Sequence, residues 1–261
     1  MTTFVWMSDP HFQNTGTING LNPRTRLSAA IEHANTHYTD AAFGVLSGDL
    51  VGDDIEGDYA QLAHYLSASE LTLHAMIGNN DDRAGYFRHL STPDPSLDGF
   101  VQFALGIPEG RVLCLDTHKV GSAAGAFCDA RMAWLERELT EAGDRPVFLF
   151  MHHPPMDLGL PRQDEIKLEN GDAFLETIKA HGNVAYMFMG HVHRPTTGVV
   201  QGIPFASLGA LSFQAPAPRP DWGWSAFKAP TEAPHYAVVE ITGADVRVQF
   251  VQFGPYELGI E

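Results

Sequence analysis

The hydrophobic positions of this chain fall into short runs separated by polar turns, and the runs change texture along its length. Phe4–Met7, Ala42–Leu46, Leu71–Ile77, Val112–Leu115, Val147–Met151 and Ala185–Met189 are short apolar runs rich in β-branched or aromatic residues. Such runs predict strands buried on both faces. Between several of them the period lengthens to that of a helix. Leu27, Ile31, Ala34 and Tyr38 form an i, i+4, i+7, i+11 stripe, and Met132, Leu135 and Leu139 form another. Asp58 with Gln61 reads as a capping box ahead of Leu62 and Leu66, and Asp172 as the cap of a helix that Gly182 ends. Strands alternating with helices predict an α/β layered fold. Beyond Met189 the helical pattern stops. Val199–Val200, Phe205–Leu208, Tyr236–Ile241 and Val246–Phe253 predict strands, the last two joined as a hairpin through Thr242-Gly243-Ala244-Asp245. No linker, repeat or charge block divides the chain, so residues 1–261 read as one domain. The segment 213–235, with five prolines and with Trp222, Trp224 and Phe227, reads as a long ordered loop, either a lid over a site or a subunit contact.

Composition narrows the class. Hydrophobic residues make up 44 % of the 261, enough for a real core, which excludes global disorder. Sixteen Lys and Arg against 32 Asp and Glu leave a net charge of −16. A surface this acidic repels phosphate backbones, which excludes a nucleic-acid polymer as partner. Cys114 and Cys128 are too few for a disulfide framework or a thiolate zinc site and read as small core hydrophobes. The N-terminus lacks a basic region ahead of its short apolar run, and no stretch approaches the roughly 18 apolar residues of a membrane helix. A soluble cytoplasmic protein with no membrane partner is expected.

Five of the apolar runs are followed at once by candidate metal ligands. Phe4–Met7 leads into Ser8-Asp9-Pro10-His11, Ala42–Leu46 into Ser47-Gly48-Asp49, and Leu71–Ile77 into Gly78-Asn79-Asn80-Asp81. Val147–Met151 leads into His152-His153-Pro154-Pro155, and Ala185–Met189 into Gly190-His191-Val192-His193. Loops at the carboxyl ends of neighbouring strands in an open α/β sheet converge on one crevice. Gly48, Gly78 and Gly190 directly precede ligand candidates, where positive φ or close backbone approach is needed. Asp9, His11, Asp49, Asn79, His152, His191 and His193 offer imidazole and oxygen donors without thiolate, a set suited to Mn, Fe, Co or Zn. Seven ligands exceed the three or four of one catalytic zinc, so two divalent ions sharing a carboxylate fit better.

The ordered series Asp-x-His, Gly-Asp, Gly-Asn-x-Asp, His-His-Pro-Pro and Gly-His-x-His resembles that of the calcineurin-like metallophosphoesterases. With Leu168-Glu169-Asn170-Gly171 and Gly202-Ile203-Pro204, it resembles more narrowly the bacterial class III cyclic nucleotide phosphodiesterases and the related glycerophosphodiesterases, over Asp9 to at least Gln214. The resemblance implies a double β-sheet sandwich flanked by helices. It implies one metal held by Asp9, His11 and His193, a second by Asn79, His152 and His191, and Asp49 bridging them. It also implies hydrolysis of a small phosphodiester (cyclic nucleotide, glycerophosphodiester or phosphonate ester) by hydroxide generated at the two ions, with homo-oligomers common in the branch. One position departs from the pattern: the histidine that follows Gly-Asn in those families is Asn80 here. Its amide can donate a hydrogen bond to a phosphoryl oxygen but cannot act as a general acid. His153 is left open between orienting a ligand and taking part in the chemistry. Arg83 and Arg194 read as salt-bridging, and His33 with His37 as a solvated pair. The rival readings are a phosphomonoesterase of the same fold and a non-catalytic metal-binding scaffold.

Overall fold

The computed structural model describes residues 1–52, 55–94, 96–218, 228–229 and 232–254. In chain order the elements are β1 (Thr2–Met7), α1 (Pro23–His37), β2 (Gly44–Ser47), α2 (Ile55–Leu66), β3 (Leu73–Met76), α3 (Arg83–His89), β4 (Phe103–Gly106) and β5 (Arg111–Leu115). They continue with α4 (Asp129–Ala142), β6 (Val147–Met151), one 3-10 turn at Gln163–Ile166, α5 (Gly171–His181), β7 (Val184–Met189), β8 (Thr196–Val200), β9 (Ile203–Ser207), β10 (His235–Thr242) and β11 (Asp245–Gln252). A five-stranded sheet runs β11-β10-β1-β2-β3 and a six-stranded sheet β4-β5-β6-β7-β9-β8.

The alternation along β6 shows how these layers stack. Its five residues are all buried. Phe148 and Phe150 point toward the first sheet and share a cluster with Phe4 and Trp6 of β1, while Val147, Leu149 and Met151 point away and pack with Trp134, Leu135 and Leu139 of α4 and Phe174 and Ile178 of α5. A strand read in steps of two thus serves two cores. The seam between the sheets is aromatic: Phe4 and Trp6 meet Phe150 and Phe188 edge-on at centroid distances of 5.3–6.0 Å, and Phe150 stacks on Phe188 at 4.5 Å. The outcome is mixed α/β, two sheets flanked by helices, as the sequence predicts.

Within the first sheet β1, β2 and β3 are parallel, and within the second β5, β6, β7 and β9 are parallel. The loops after β1, β2, β3, β6 and β7 therefore leave at carboxyl ends, which places the predicted ligand loops together. The expected hairpin forms with Thr242 opposite Asp245, and Gly182 ends α5 in the left-handed region at φ 75°. No helix among the described residues is long and apolar enough to cross a membrane.

Several expectations need correction. Helix α2 begins at Ile55, so Asp58 lies inside its first turn rather than capping it, and its carboxylate accepts the Asn14 N–H at 2.7 Å. Asn170 precedes α5 where Asp172 was expected to cap. Cys114 is buried, but Cys128 is exposed at the N-cap of α4, so it is not a core residue. The pairing of Arg83 is not on the surface: it holds the fully buried Asp116 at 2.7 Å. Trp222, Trp224 and Phe227 lie outside the described residues.

Candidate metal centre

The loop after β1 turns sharply because Asp9 and His11 both adopt positive φ, at 51° and 41°. Asp49, His191 and His193 do the same, so five of the seven non-glycine residues with positive φ among the described residues are predicted ligands. Side-chain-bearing residues pay roughly 1–2 kcal/mol for that region, and such strain gathers at functional sites. Of the three glycines, Gly48 has positive φ, 99°. Gly78 serves close approach instead: a Cβ there would collide with the Asp49 carboxylate and the His152 ring, as one at Gly190 would with Ser8 and Asp9.

The loops bring donors from both sheets to one place. Donor atoms of Asp9, His11, Asp49 and His193 lie within 4.8 Å of one another, as do those of His152, His153 and His191. His11 Nε2 is 3.0 Å from His193 Nε2, and His193 Nε2 is 3.3 Å from Asp9 Oδ1. Asp49 faces both groups with different oxygens, Oδ2 being 3.5 Å from His11 Nε2 and Oδ1 3.3 Å from His152 Nε2.

Backbone carbonyls orient the rings. His152 Nδ1 donates to Ser47 O at 2.8 Å, His193 Nδ1 to Phe213 O at 2.8 Å and His191 Nε2 to Ile166 O at 3.1 Å. A carbonyl only accepts, so each bond fixes a proton on that nitrogen and makes the opposite ring nitrogen the one available to a metal. Asp9 is held by a buried relay in which Trp6 Nε1 donates to Ser47 Oγ, Ser47 Oγ to Ser8 Oγ, and Ser8 Oγ to the Asp9 carboxylate.

Electrostatics agree with a cation site. Burial drives His11 down to about 4 and His191 to about 3, keeping both imidazoles neutral. Burial also disfavours charge on His152, yet Asp49 and Asp9 overcome it and push that ring up to about 9. Both carboxylates stay below their ordinary range: burial, the largest single influence, opposes this, but His193 and His152 together outweigh it at Asp9, and His152, His11 and His191 together at Asp49. His152 Nε2 and Asn79 Oδ1 are buried without a hydrogen-bond partner among the described residues. Neutral imidazoles at His11 and His191, ionised carboxylates and unpartnered donor atoms fit divalent ions, and a cation would take the place of the proton that the two carboxylates hold on His152.

Asn79 and Asn80 stand on the loop after β3. The Asn80 N–H donates to Asp49 Oδ1 at 2.9 Å, and its side-chain amide lies 3.0 Å from His11 Nδ1, so Asn80 touches two of the predicted ligands. His153 is fully buried, with Nδ1 2.7 Å from Thr117 Oγ1 and Nε2 unpartnered among the described residues. Burial holds it far below the ordinary histidine range.

Sequence reasoning missed Asp81. This buried carboxylate accepts from the Leu50, Val51 and Gly78 N–H groups and from the Tyr59 hydroxyl, so it ties the Asp49 loop to the Asn79 loop. Burial, then the charge of Asp49, raises it to about 7. The signal was its place as the last residue of Gly78-Asn79-Asn80-Asp81. A cavity of about 360 Å³ opens over the centre, lined by His11, Asp49 and His193 and also by Phe213, Ile166 and Val192. Arg194 turns away and pairs with Glu232 at 3.0 Å.

The family model described as calcineurin-like phosphoesterase matches residues 2–195. A Rhodopseudomonas palustris protein named "Probable cyclic nucleotide phosphodiesterase" is 40 % identical over 81 % of this chain and 78 % of its own length. A glycerophosphodiester phosphodiesterase of Enterobacter lignolyticus is 34 % identical over 66 % of this chain and 63 % of its own. Among solved structures, a dimetal phosphatase from Danio rerio superposes with a TM-score of 0.75 at 15 % identity, covering 97 % of both chains. A purple acid phosphatase from yellow lupin gives 0.70 at 11 % identity, over 96 % of this chain and 51 % of that one.

Proposed function

The chain belongs to the calcineurin-like phosphoesterase family, and from that premise we propose that it is a phosphodiesterase acting on a small diester through two divalent metal ions. Asp9, His11 and His193 would hold one ion, Asn79, His152 and His191 the other, and Asp49 would be shared between them. The observation that carries this reading is the position of Asp49, with one oxygen turned to His11 and the other to His152. Bound ions of this kind act as Lewis acids on phosphoryl oxygens and lower the pKa of a water from 15.7 toward roughly 7. The chain's own part is to fix the donors: five strained backbone positions, three ring-to-carbonyl bonds and the serine relay all hold ligand atoms in place before substrate arrives. Asn80, beside the ligands and facing the cavity, offers its amide to a phosphoryl oxygen. The relatives named for cyclic nucleotides and glycerophosphodiesters support a small diester, and the net charge of −16 disfavours a long polyanion. The donor set accepts Mn, Fe, Zn or Co.

The test is hydrolysis by metal-reconstituted protein of bis- and mono-nitrophenyl phosphate, cyclic nucleotides, glycerophosphodiesters and phosphonate esters, with Asp49→Ala as control. Diester hydrolysis that Asp49→Ala abolishes is expected. Activity on monoesters alone, or activity that survives Asp49→Ala, overturns the proposal.

A further inference from the structure

The ligands assigned to the second ion come from different sheets, which leaves one of their loops in need of an anchor. His152 and His191 follow β6 and β7 of the six-stranded sheet, whereas Asn79 follows β3, the end strand of the five-stranded one. The direction of the Asn79 amide therefore depends on what holds the backbone just before it. Gly78 is held through both of its backbone polar groups: its N–H donates to Asp81 Oδ2 at 2.7 Å, and its carbonyl accepts from His118 Nδ1 at 3.0 Å. The second bond bears directly on Asn79, because the Gly78 carbonyl lies in the same rigid plane as the Asn79 N and Cα. Glycine has no Cβ to restrict that plane, so an outside donor sets it.

His118 reaches across from the loop after β5, and β5 is hydrogen-bonded to β6, the strand that leads into His152. The bond thus refers the Asn79 loop to the sheet that carries the other two ligands. A carbonyl only accepts, so Nδ1 of this ring carries a proton. Burial, then the positive Arg83, holds the ring below the ordinary histidine range, so near neutral pH that proton is the one it has.

The backbone of His118 is clamped in turn. Its N–H donates to Asp116 Oδ1 at 3.0 Å, and its carbonyl accepts from Arg83 Nη2 at 3.0 Å and from Arg131 Nη1 at 3.1 Å. Asp116 is fully buried and also takes Arg83 through both oxygens at 2.7 Å. The two guanidinium groups lie over the Phe100 ring at 4.9 and 5.1 Å. This loop supplies none of the seven predicted ligands, yet its imidazole stands on a buried ionic network that fixes where the ring can point.

We infer that His118 is a positioning residue: by donating to the Gly78 carbonyl it fixes the peptide that presents Asn79 to the second ion. This inference rests on the two-ion reading and adds to it a residue, outside every ligand motif, on which the affinity of one ion depends.

Leucine and asparagine share a branched shape, but only asparagine places an N–H where the His118 Nδ1 stands; glutamine carries its amide one bond further out, at the reach of Nε2. Metal-free parent, Asn79→Ala, His118→Leu, His118→Asn and His118→Gln are titrated with Mn2+ by calorimetry, with the thermal midpoint of each metal-free protein measured alongside. Asn79→Ala identifies the binding step that uses Asn79. His118→Leu is expected to weaken that step about tenfold, at the lower end of the roughly 10–100-fold lost when a group that orients a ligand is removed, and to leave the other step unchanged. His118→Asn is expected to restore the parent's affinity, and His118→Gln is not. A role confined to stability would instead lower the midpoints and treat both steps alike. An unchanged Asn79 step in His118→Leu, equal weakening of both steps, or asparagine no better than leucine overturns the role of His118 while the ligand assignment stands. Should His118→Leu fail to fold, asparagine against glutamine decides, and equal affinities in those two overturn the inference. If Asn79→Ala alters neither step, the ligand assignment falls first, and the role of His118 with it.

Discussion

Changing Asp81 to asparagine alters one atom of a side chain that is 4 % exposed and holds four donors. Its Oδ1 takes the Val51 N–H at 3.2 Å and the Tyr59 hydroxyl at 2.9 Å, Oδ2 takes the Gly78 N–H at 2.7 Å, and the Leu50 N–H is shared at 3.0 Å from each. Asparagine can keep one oxygen, which belongs on the side with two donors, so its NH2 group faces the Gly78 N–H. That buried donor is orphaned at a cost of about 1–3 kcal/mol, and above pH ~7, where Asp81 is ionised, the remaining bonds lose their charge assistance. Removing a negative charge beside Asp49 returns part of this, which leaves a net destabilisation of about 2–4 kcal/mol. At ~2–4 °C per kcal/mol for a protein of this size, the thermal midpoint should fall by about 4–16 °C. Tyr59→Phe deletes one donor and leaves the carboxylate's others in place, so it should cost about 0.5–1.5 kcal/mol. The double variant should be less destabilised than the sum, because the two share a bond. Thermal and denaturant unfolding of the four proteins, with bound metal measured in parallel, provide the assay. A midpoint for Asp81→Asn within 1 °C of the parent, or strict additivity with Tyr59→Phe, would refute the reasoning that this carboxylate ties the two ligand loops together.

Three further outcomes are expected. Gly78→Ala should keep the fold, as judged by circular dichroism, yet lose bound metal, because the added Cβ strikes Asp49 and His152 and not the core; full metal content by mass spectrometry would count against that geometry. Asn80→His should speed hydrolysis of diesters with poor leaving groups by about 10²-fold or more while changing nitrophenyl esters far less, since a general acid matters only where the alkoxide needs a proton; equal effects on both classes speak against a missing acid. A thiol reagent near neutral pH should label one cysteine per folded chain. Cys128 is exposed and, although partial burial opposes it, the Arg131 hydrogen bond lowers its thiol pKa, so its rate should level off at lower pH than a free thiol. Cys114, which burial raises, should react only on unfolding, and two fast thiols would show the β5 packing to be wrong.

Much of this architecture is legible in the sequence because its strands are buried on both faces. A run such as Val147-Phe-Leu-Phe-Met151 has no other stable setting than between two layers, and the polar residues just beyond it mark the carboxyl end where loops collect. What escapes is whatever depends on partners distant in sequence. Phe103–Gly106 forms β4 only because β5 offers an edge, and α3, seven residues long, is too short for a period to show. Asp58 looks like a cap because its local pattern is right, yet the Asn14 N–H takes its carboxylate. Asp81 stands in the Gly-Asn-x-Asp motif, but its role in tying two loops comes from the donors around it rather than from spacing. The donors themselves are legible as residue types, whereas the direction of each lone pair comes from carbonyls such as Phe213 O and Ile166 O that no pattern identifies.

The pairing of His11 with His193 spans 182 positions, and that separation sets an order on assembly. One share of the donors follows β1, β2 and β3 in the first third of the chain, and the other arrives only with β6, β7 and the turns after them. A growing chain that ends before residue 152 has four of the seven donors, Asp9, His11, Asp49 and Asn79, and a strained backbone with nothing to compensate for it. Closing so long a loop is among the slowest entropic steps in folding. Metal capture is thereby deferred until both sheets are docked, and a cation once seated acts as a rivet through the aromatic seam: pulling the sheets apart means losing the ion as well as the packing.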